Sequence, residues 1–186
     1  MSITVAKSAG FCFGVNRAIN IVNSLLDKNV KVSTLGPIIH NMEVVNELES
    51  RGCKAVDNID EVEKDATLVI RSHGVPKYVI DKLDENGVKY EDATCPFVKK
   101  IHNIVANPDN KDGIVLIAGN SVHPEVEGII GHCSTECHTF KNSEEIDEIY
   151  NNILKKNNKQ VFVVAQTTFD LSLIHISEPT RPISIS

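Results

Sequence analysis

Tryptophan is absent, and aromatic residues of all kinds make up only 5% of the 186 residues. The formal net charge is −6. An acidic chain with few stacking rings is poorly equipped to bind nucleic acid. The missing tryptophan, beside abundant Lys, Asn and Ile, speaks of base composition rather than mechanism. No stretch approaches the run of about 20 apolar residues that spans a bilayer. No basic segment followed by an apolar one opens the chain. These absences predict a soluble, cytoplasmic protein with no membrane partner. No Cys-x-x-Cys pair occurs, which argues against a zinc ribbon or a thioredoxin-like site. The five cysteines, Cys12, Cys53, Cys95, Cys133 and Cys137, are an odd number. In a chain of cytosolic character that points away from a disulfide framework and toward metal or redox use of some of them. The stretch from Cys133 to Cys137-His138 lacks a second ligand pair at the usual spacing and is given no metal role.

What is present is a rhythm. Short apolar runs at residues 3–6, 31–35, 53–56, 66–70, 88–91, 113–118 and 160–165 read as strands. Helical patterns lie between them. Over residues 14–28, Val15, Ala18, Ile19, Val22, Leu25 and Leu26 share one face. A second helix turns Val44, Val45 and Leu48 inward and closes at Gly52. Pro76, Pro96 and Pro124 each stand where a first helical residue would be. Residues 142–154 form a helix with an Asn142/Glu145 capping box. Alternating strands and helices predict an α/β fold of parallel βα units with right-handed crossovers. The apolar runs are too continuous for a half-exposed antiparallel sheet. A polar turn at 107–113 puts a boundary between residues 95 and 110.

The chemistry gathers where strands end. Cys12 lies in Gly10-Phe11-Cys12-Phe13-Gly14-Val15, after one apolar run and at the positive end of a helix. The flanking phenylalanines could keep water from the sulfur; a buried structural cysteine is the plain alternative. His40, His73, Cys95, His123 with Glu125, and Thr167 follow other strands. In open α/β sheets ligands bind beyond the carboxyl ends of strands, where helix N-termini favour anions. Histidines there suit a phosphate or diphosphate. Single, separated cysteines suit an iron–sulfur cluster better than zinc. Glu125 beside such a cluster could donate a proton. Taken singly, a loop histidine is solvated more often than functional, and a threonine after a strand is often a helix cap. His102, His132 and His138 are read as solvated.

Gly10-Phe11-Cys12-Phe13-Gly14-Val15, Gly36-Pro37-Ile38-Ile39-His40-Asn41, Arg71-Ser72-His73-Gly74-Val75-Pro76, Asp92-Ala93-Thr94-Cys95-Pro96, His123-Pro124-Glu125-Val126-Glu127-Gly128 and Gln166-Thr167-Thr168 together resemble the motifs of the LytB family of 4-hydroxy-3-methylbut-2-enyl diphosphate reductases. The resemblance covers residues 2–170. It implies three pseudo-symmetric parallel α/β lobes around a 4Fe–4S cluster, of which two are present here. Residues 1–97 would form the first lobe, 98–172 an incomplete second, and 173–186 a non-family tail resembling vector or adapter read-through, in which His175 has no role. Cys12 and Cys95 would be two of three cluster cysteines. His40, His73, His123 and Thr167 would bind the substrate, and Glu125 would be the catalytic proton donor. The implied reaction is a two-electron, two-proton reductive dehydroxylation of an allylic diphosphate, giving isopentenyl and dimethylallyl diphosphates. Ferredoxin or flavodoxin would supply the electrons. Without the third cluster cysteine and the remaining diphosphate ligands, this chain is expected to be inactive or unstable. The competing expectations are a His/Glu metal-dependent phosphatase or hydrolase, and a non-catalytic phosphate-binding module.

Overall fold

The structure is a computed structural model that describes residues 3–4, 6, 9–107, 112–156 and 158–170. It divides into two compact units, Met1–Lys99 and Lys100–Ser186. Among the described residues, no helix is long and apolar enough to cross a membrane.

The first unit runs α1 (Phe13–Leu26), β1 (Val32–Leu35), α2 (Met42–Ser50), β2 (Cys53–Val56), β3 (Thr67–Ile70), α3 (Lys77–Glu85) and β4 (Tyr90–Asp92), with α4 (Pro96–Ala106) beginning at its end. Its sheet has the order β2-β1-β3-β4 and is parallel throughout. Side chains of a strand alternate between faces. Val69 of β3 joins Ala18, Val22 and Leu48 on the face covered by α1 and α2. Leu68 and Ile70 join Val75, Val79 and Leu83 on the face covered by α3. Because both faces are covered, β3 is buried at every position, as its mostly apolar sequence predicts. Each large apolar side chain so enclosed contributes about 2 kcal/mol.

The second unit runs β5 (Ile114–Ala118), α5 (Pro124–Ile130), β6 (Glu136–Phe140), α6 (Ser143–Asn152) and β7 (Val161–Ala165). The sheet order is β6-β5-β7, again parallel. Val115 and Ile117 pack with Val126 and Ile129 of α5 and with Val105 of α4. Ile114, Leu116 and Ala118 face Phe140 and the inner side of α6. This order repeats β2-β1-β3 of the first unit. In both, the chain leaves the first strand toward one side and returns to pair on the other.

Several expectations are corrected. Ile3, Thr4 and Ala6 lie in no strand, and Val5 lies outside the described residues; Ile3 is exposed, so this apolar run has no sheet against which to bury. The strand expected over 88–91 forms over Tyr90–Asp92, because Val88 still closes the end of α3 through its N–H to Leu83 O (3.0 Å). Pro76 is the N-cap of α3, with extended ψ, while Pro96 and Pro124 are first helical residues. β6 was not anticipated: its polar sequence Glu-Cys-His-Thr-Phe sits at the sheet edge, where only Phe140 is fully enclosed. Asn142 caps α6 through Glu145 N–H, but the Glu145 carboxylate reaches back to Lys141 N–H, one residue before the cap. The tail from residue 173 lies outside the described residues.

Candidate functional site

In the first unit the carboxyl ends of β1, β3 and β4 form the candidate site. β1 leads through α2 to β2 on one side, and β3 leads through α3 to β4 on the other. The two chain paths therefore diverge between β1 and β3, which is the place where a crevice opens in such a sheet. His40 follows β1 and His73 follows β3, and their rings meet there with centroids 4.6 Å apart, tilted by 48°. Gly36 makes the turn out of β1 with φ 68°, a conformation costly for a side-chain-bearing residue. A Cβ there would also lie 3.1 Å from an Arg71 nitrogen. Ile38 and Ile39 then plug into the core, and Asn41 caps α2 by accepting the Val44 N–H (3.1 Å).

The loops are tied to one another. Cys95 N–H donates to Ser72 O at 2.9 Å, and buried Ser72 points its N–H and hydroxyl at Ile38 O, each at 3.5 Å. α1 closes against this edge. A methyl group on Gly14 would stand 2.6 Å from Cys95 Sγ and 3.0 Å from its Cβ. Glycine is required there by the sulfur's approach. Cys12, the N-cap of α1, is exposed, and Cys95 is half-buried. Cys12 thus precedes the helix that meets Cys95 at the start of α4. Phe11 and Phe13 are exposed and do not wall off Cys12, since both stand at the open start of α1.

Sequence reading missed the group that holds this contact. The Arg17 guanidinium donates to the carbonyls of Thr94 (3.3 Å) and Asp92 (3.1 Å). Asp92 in turn accepts from Thr94 N–H (2.9 Å) and pairs with Lys99 Nζ (2.6 Å). Burial works to raise the Asp92 pKa, but its hydrogen bonds from Lys99 and Thr94 outweigh that and hold it below the ordinary carboxylate value. Arg17 left no signal because its partners are backbone carbonyls, which any residue supplies. Cys53 is buried under α2. Burial and the Glu49 carboxylate push its thiol up to about 11, marking an inert packing residue.

In the second unit the equivalent edge lies at the ends of β5 and β7. Glu125 is only 2% exposed, in the first turn of α5. Thr167, just beyond β7, donates its N–H to Glu125 Oε1 (2.6 Å) and its hydroxyl to Oε2 (2.9 Å). His123 is the N-cap of α5, and its Nδ1 accepts the Glu125 N–H (3.2 Å). A neutral ring in that role carries its proton on Nε2. Gly119 admits this packing: a Cβ there would lie 2.7 Å from Val126 and 3.1 Å from the Gln166 side-chain oxygen. Gln166, part of the last motif, donates its amide to Thr168 Oγ1 at 2.8 Å.

The seven expected site residues therefore fall into two groups, Cys12, His40, His73 and Cys95 in one unit and His123, Glu125 and Thr167 in the other. Among the described residues, no set of three or more His, Cys, Asp or Glu side chains is grouped to hold a metal ion. His102 corrects a reading. It is 5% exposed rather than solvated, and its ring stacks on His132 with centroids 4.0 Å apart.

Parallel α/β units with thiol, imidazole and carboxyl groups at their carboxyl edges define a class of ligand-binding fold. Comparisons identify the member. A family model described as LytB protein matches residues 3–177, and the chain belongs to the LytB family. It is 40% identical over 174 residues to 4-hydroxy-3-methylbut-2-enyl diphosphate reductase of Clostridioides difficile strain 630, covering 93% of this chain and 61% of the relative. It is 42% identical over 177 residues to the reductase of that name from Alkaliphilus oremlandii, covering 93% and 60%. Among solved structures it resembles (E)-4-hydroxy-3-methyl-but-2-enyl diphosphate reductase, the terminal enzyme of the non-mevalonate pathway, with TM-score 0.79 and 36% identity over 94% of this chain and 61% of the other. The Plasmodium falciparum E-1-hydroxy-2-methyl-but-2-enyl-4-diphosphate reductase matches with TM-score 0.80 and 27% identity over 91% and 52%. The chain thus spans about 60% of the length of the curated relatives it matches.

Proposed function

We propose that the two units carry part of the site of an iron–sulfur reductase that converts 4-hydroxy-3-methylbut-2-enyl diphosphate to isopentenyl and dimethylallyl diphosphates. The observation that carries this reading is the approach of Cys95 Sγ to Gly14, two residues beyond Cys12. It brings the helix that begins after Cys12 against Cys95, in the unit that holds the His40–His73 pair. The donor set fits a 4Fe–4S cluster as a partial ligand set: separated cysteines, no Cys-x-x-Cys, and a glycine where a side chain would crowd the sulfur. Cys12 and Cys95 would be two of its thiolate ligands. When bound, the cluster supplies electrons and Lewis acidity toward an oxygen leaving group.

The chain's own residues account for the rest. His40 and His73 stand over the β1/β3 divergence and would donate to diphosphate oxygens. His123, with its proton on Nε2, would do the same from the start of α5. Glu125, held by both donors of Thr167, is a buried carboxyl that would protonate the departing hydroxyl. Binding energy from the diphosphate would orient the reacting carbon. Ferredoxin or flavodoxin would be the electron source, in the cytoplasm. On its own two thiols the present chain would hold iron weakly and turn over little.

Anaerobic reconstitution with iron and sulfide tests the assignment. We expect bound iron with matching acid-labile sulfide, below one cluster per chain, and loss of both in Cys12→Ser and in Cys95→Ser. Undiminished iron and sulfide in the doubly substituted protein would sink it. Zinc or manganese bound without sulfide would favour a hydrolase. Diphosphate binding indifferent to both thiols, with no iron taken up, would favour a phosphate-binding module.

A further inference from the structure

Both carboxyl oxygens of Glu125 accept from a single residue, Thr167, through its N–H at 2.6 Å and its hydroxyl at 2.9 Å. A turn at the end of β7 aims these two donors. Phe169 N–H donates to Gln166 O at 2.9 Å, which closes residues 166–169 with Thr167 and Thr168 at the centre. The peptide that carries Gln166 O also carries the Thr167 N–H, and in a trans peptide the two point opposite ways. With the carbonyl turned to Phe169, the N–H is turned toward Glu125. Gln166 N–H donates to Ala118 O at 2.9 Å and anchors the turn to β5.

The Gln166 side chain braces this turn a second time. It is 9% exposed, beneath two exposed threonines. It folds back so that its amide nitrogen donates to Thr168 Oγ1 at 2.8 Å. Its amide oxygen lies over the end of β5, where a Cβ on residue 119 would stand 3.1 Å away. The absence of a side chain at Gly119 is what gives this amide its place.

We propose that Gln166 is a positioning residue for Glu125. By tying Thr168 to itself, it holds the 166–169 turn in the shape that sets both Thr167 donors on the carboxyl. Its catalytic meaning rests on the reading of Glu125 as the proton donor. A group that transfers a proton must stand within hydrogen-bond reach of its target, and its aim is as firm as the residues that support it. Gln166 acts through Thr168 and Thr167, not on the reacting atoms. The role accounts for glutamine at the head of Gln166-Thr167-Thr168 and for glycine at 119.

Amide exchange followed by NMR on the full chain tests this. Thr168→Val removes the acceptor and keeps the shape. We expect the Thr167 N–H to exchange about tenfold faster, as for the loss of one hydrogen bond. Its proton resonance should move upfield as its bond to the carboxyl loosens, while the Leu116 amide in β5 keeps its rate. Thr168→Ser, which restores the hydroxyl, should restore both signals. Gln166→Leu should match Thr168→Val, and the double variant should lose no more than Gln166→Leu alone. An unchanged Thr167 amide in Thr168→Val, a failed rescue by serine, an equal change at Leu116 or multiplying losses in the double variant would each overturn the proposal. Thr168 is exposed, so its two variants decide the matter even where Gln166→Leu does not fold. Iron and sulfide uptake play no part in these signals. Failure here leaves the reductase reading standing, and failed reconstitution leaves the Gln166 brace standing.

Discussion

Single atoms set the candidate site, and single substitutions should reveal it. Gly14→Ala puts a methyl group into Cys95. Alanine is the better helix former by about 1 kcal/mol, but overpacking of about 1–3 kcal/mol opposes it. The expected result is a net loss of stability in urea unfolding, with lower iron uptake on reconstitution. Glu125→Gln keeps the shape but turns an amide NH2 toward one of the two Thr167 donors. We expect about 1–3 kcal/mol lost, whereas Thr167→Ser, which keeps the hydroxyl, should lose much less. Asp92 gives a pH signature. Its folded pKa lies below its ordinary value, so its contribution is complete above the unfolded carboxylate pKa and fades as pH falls through the folded one. Asp92→Asn should flatten that acid limb of the stability profile. An unchanged profile would remove Asp92 from the account.

At the scale of elements, helices with a clean apolar face and strands buried on both sides were legible in the sequence. α1, β3 and β5 follow their patterns because burial alone decides them. β6 was not, because an edge strand with one enclosed side chain is held by pairing with β5 rather than by its own composition. The site was legible in part for the same reason. Cysteine, histidine and glutamate announce themselves by type, but Arg17 works on carbonyls and Gly14 works by lacking a side chain. Arg17 joins α1 to the turn after β4 through two hydrogen bonds. Arg17→Met should cost about 1.5–3 kcal/mol and loosen that turn, seen as faster amide exchange at Cys95. Unchanged exchange there would show that Gly14 packing alone holds the edge.

At the scale of the molecule, each unit owns its cores. Leu68 belongs wholly to the first and Leu116 to the second. Leu68→Ala and Leu116→Ala should each cost about 2–5 kcal/mol, and hydrogen exchange should place the loss in the sheet that was altered. The candidate residues divide in the same way: Cys12 and Cys95 lie in the first unit and the buried Glu125 carboxyl in the second.

The repeated strand order makes the two units equivalent in wiring. Each places a histidine on the loop beyond its first strand, His40 after β1 and His123 after β5. A loop moved from one unit to the matching place in the other would therefore leave a strand of the same rank and enter a helix of the same rank, so exchange of whole loops is the natural way to edit either edge.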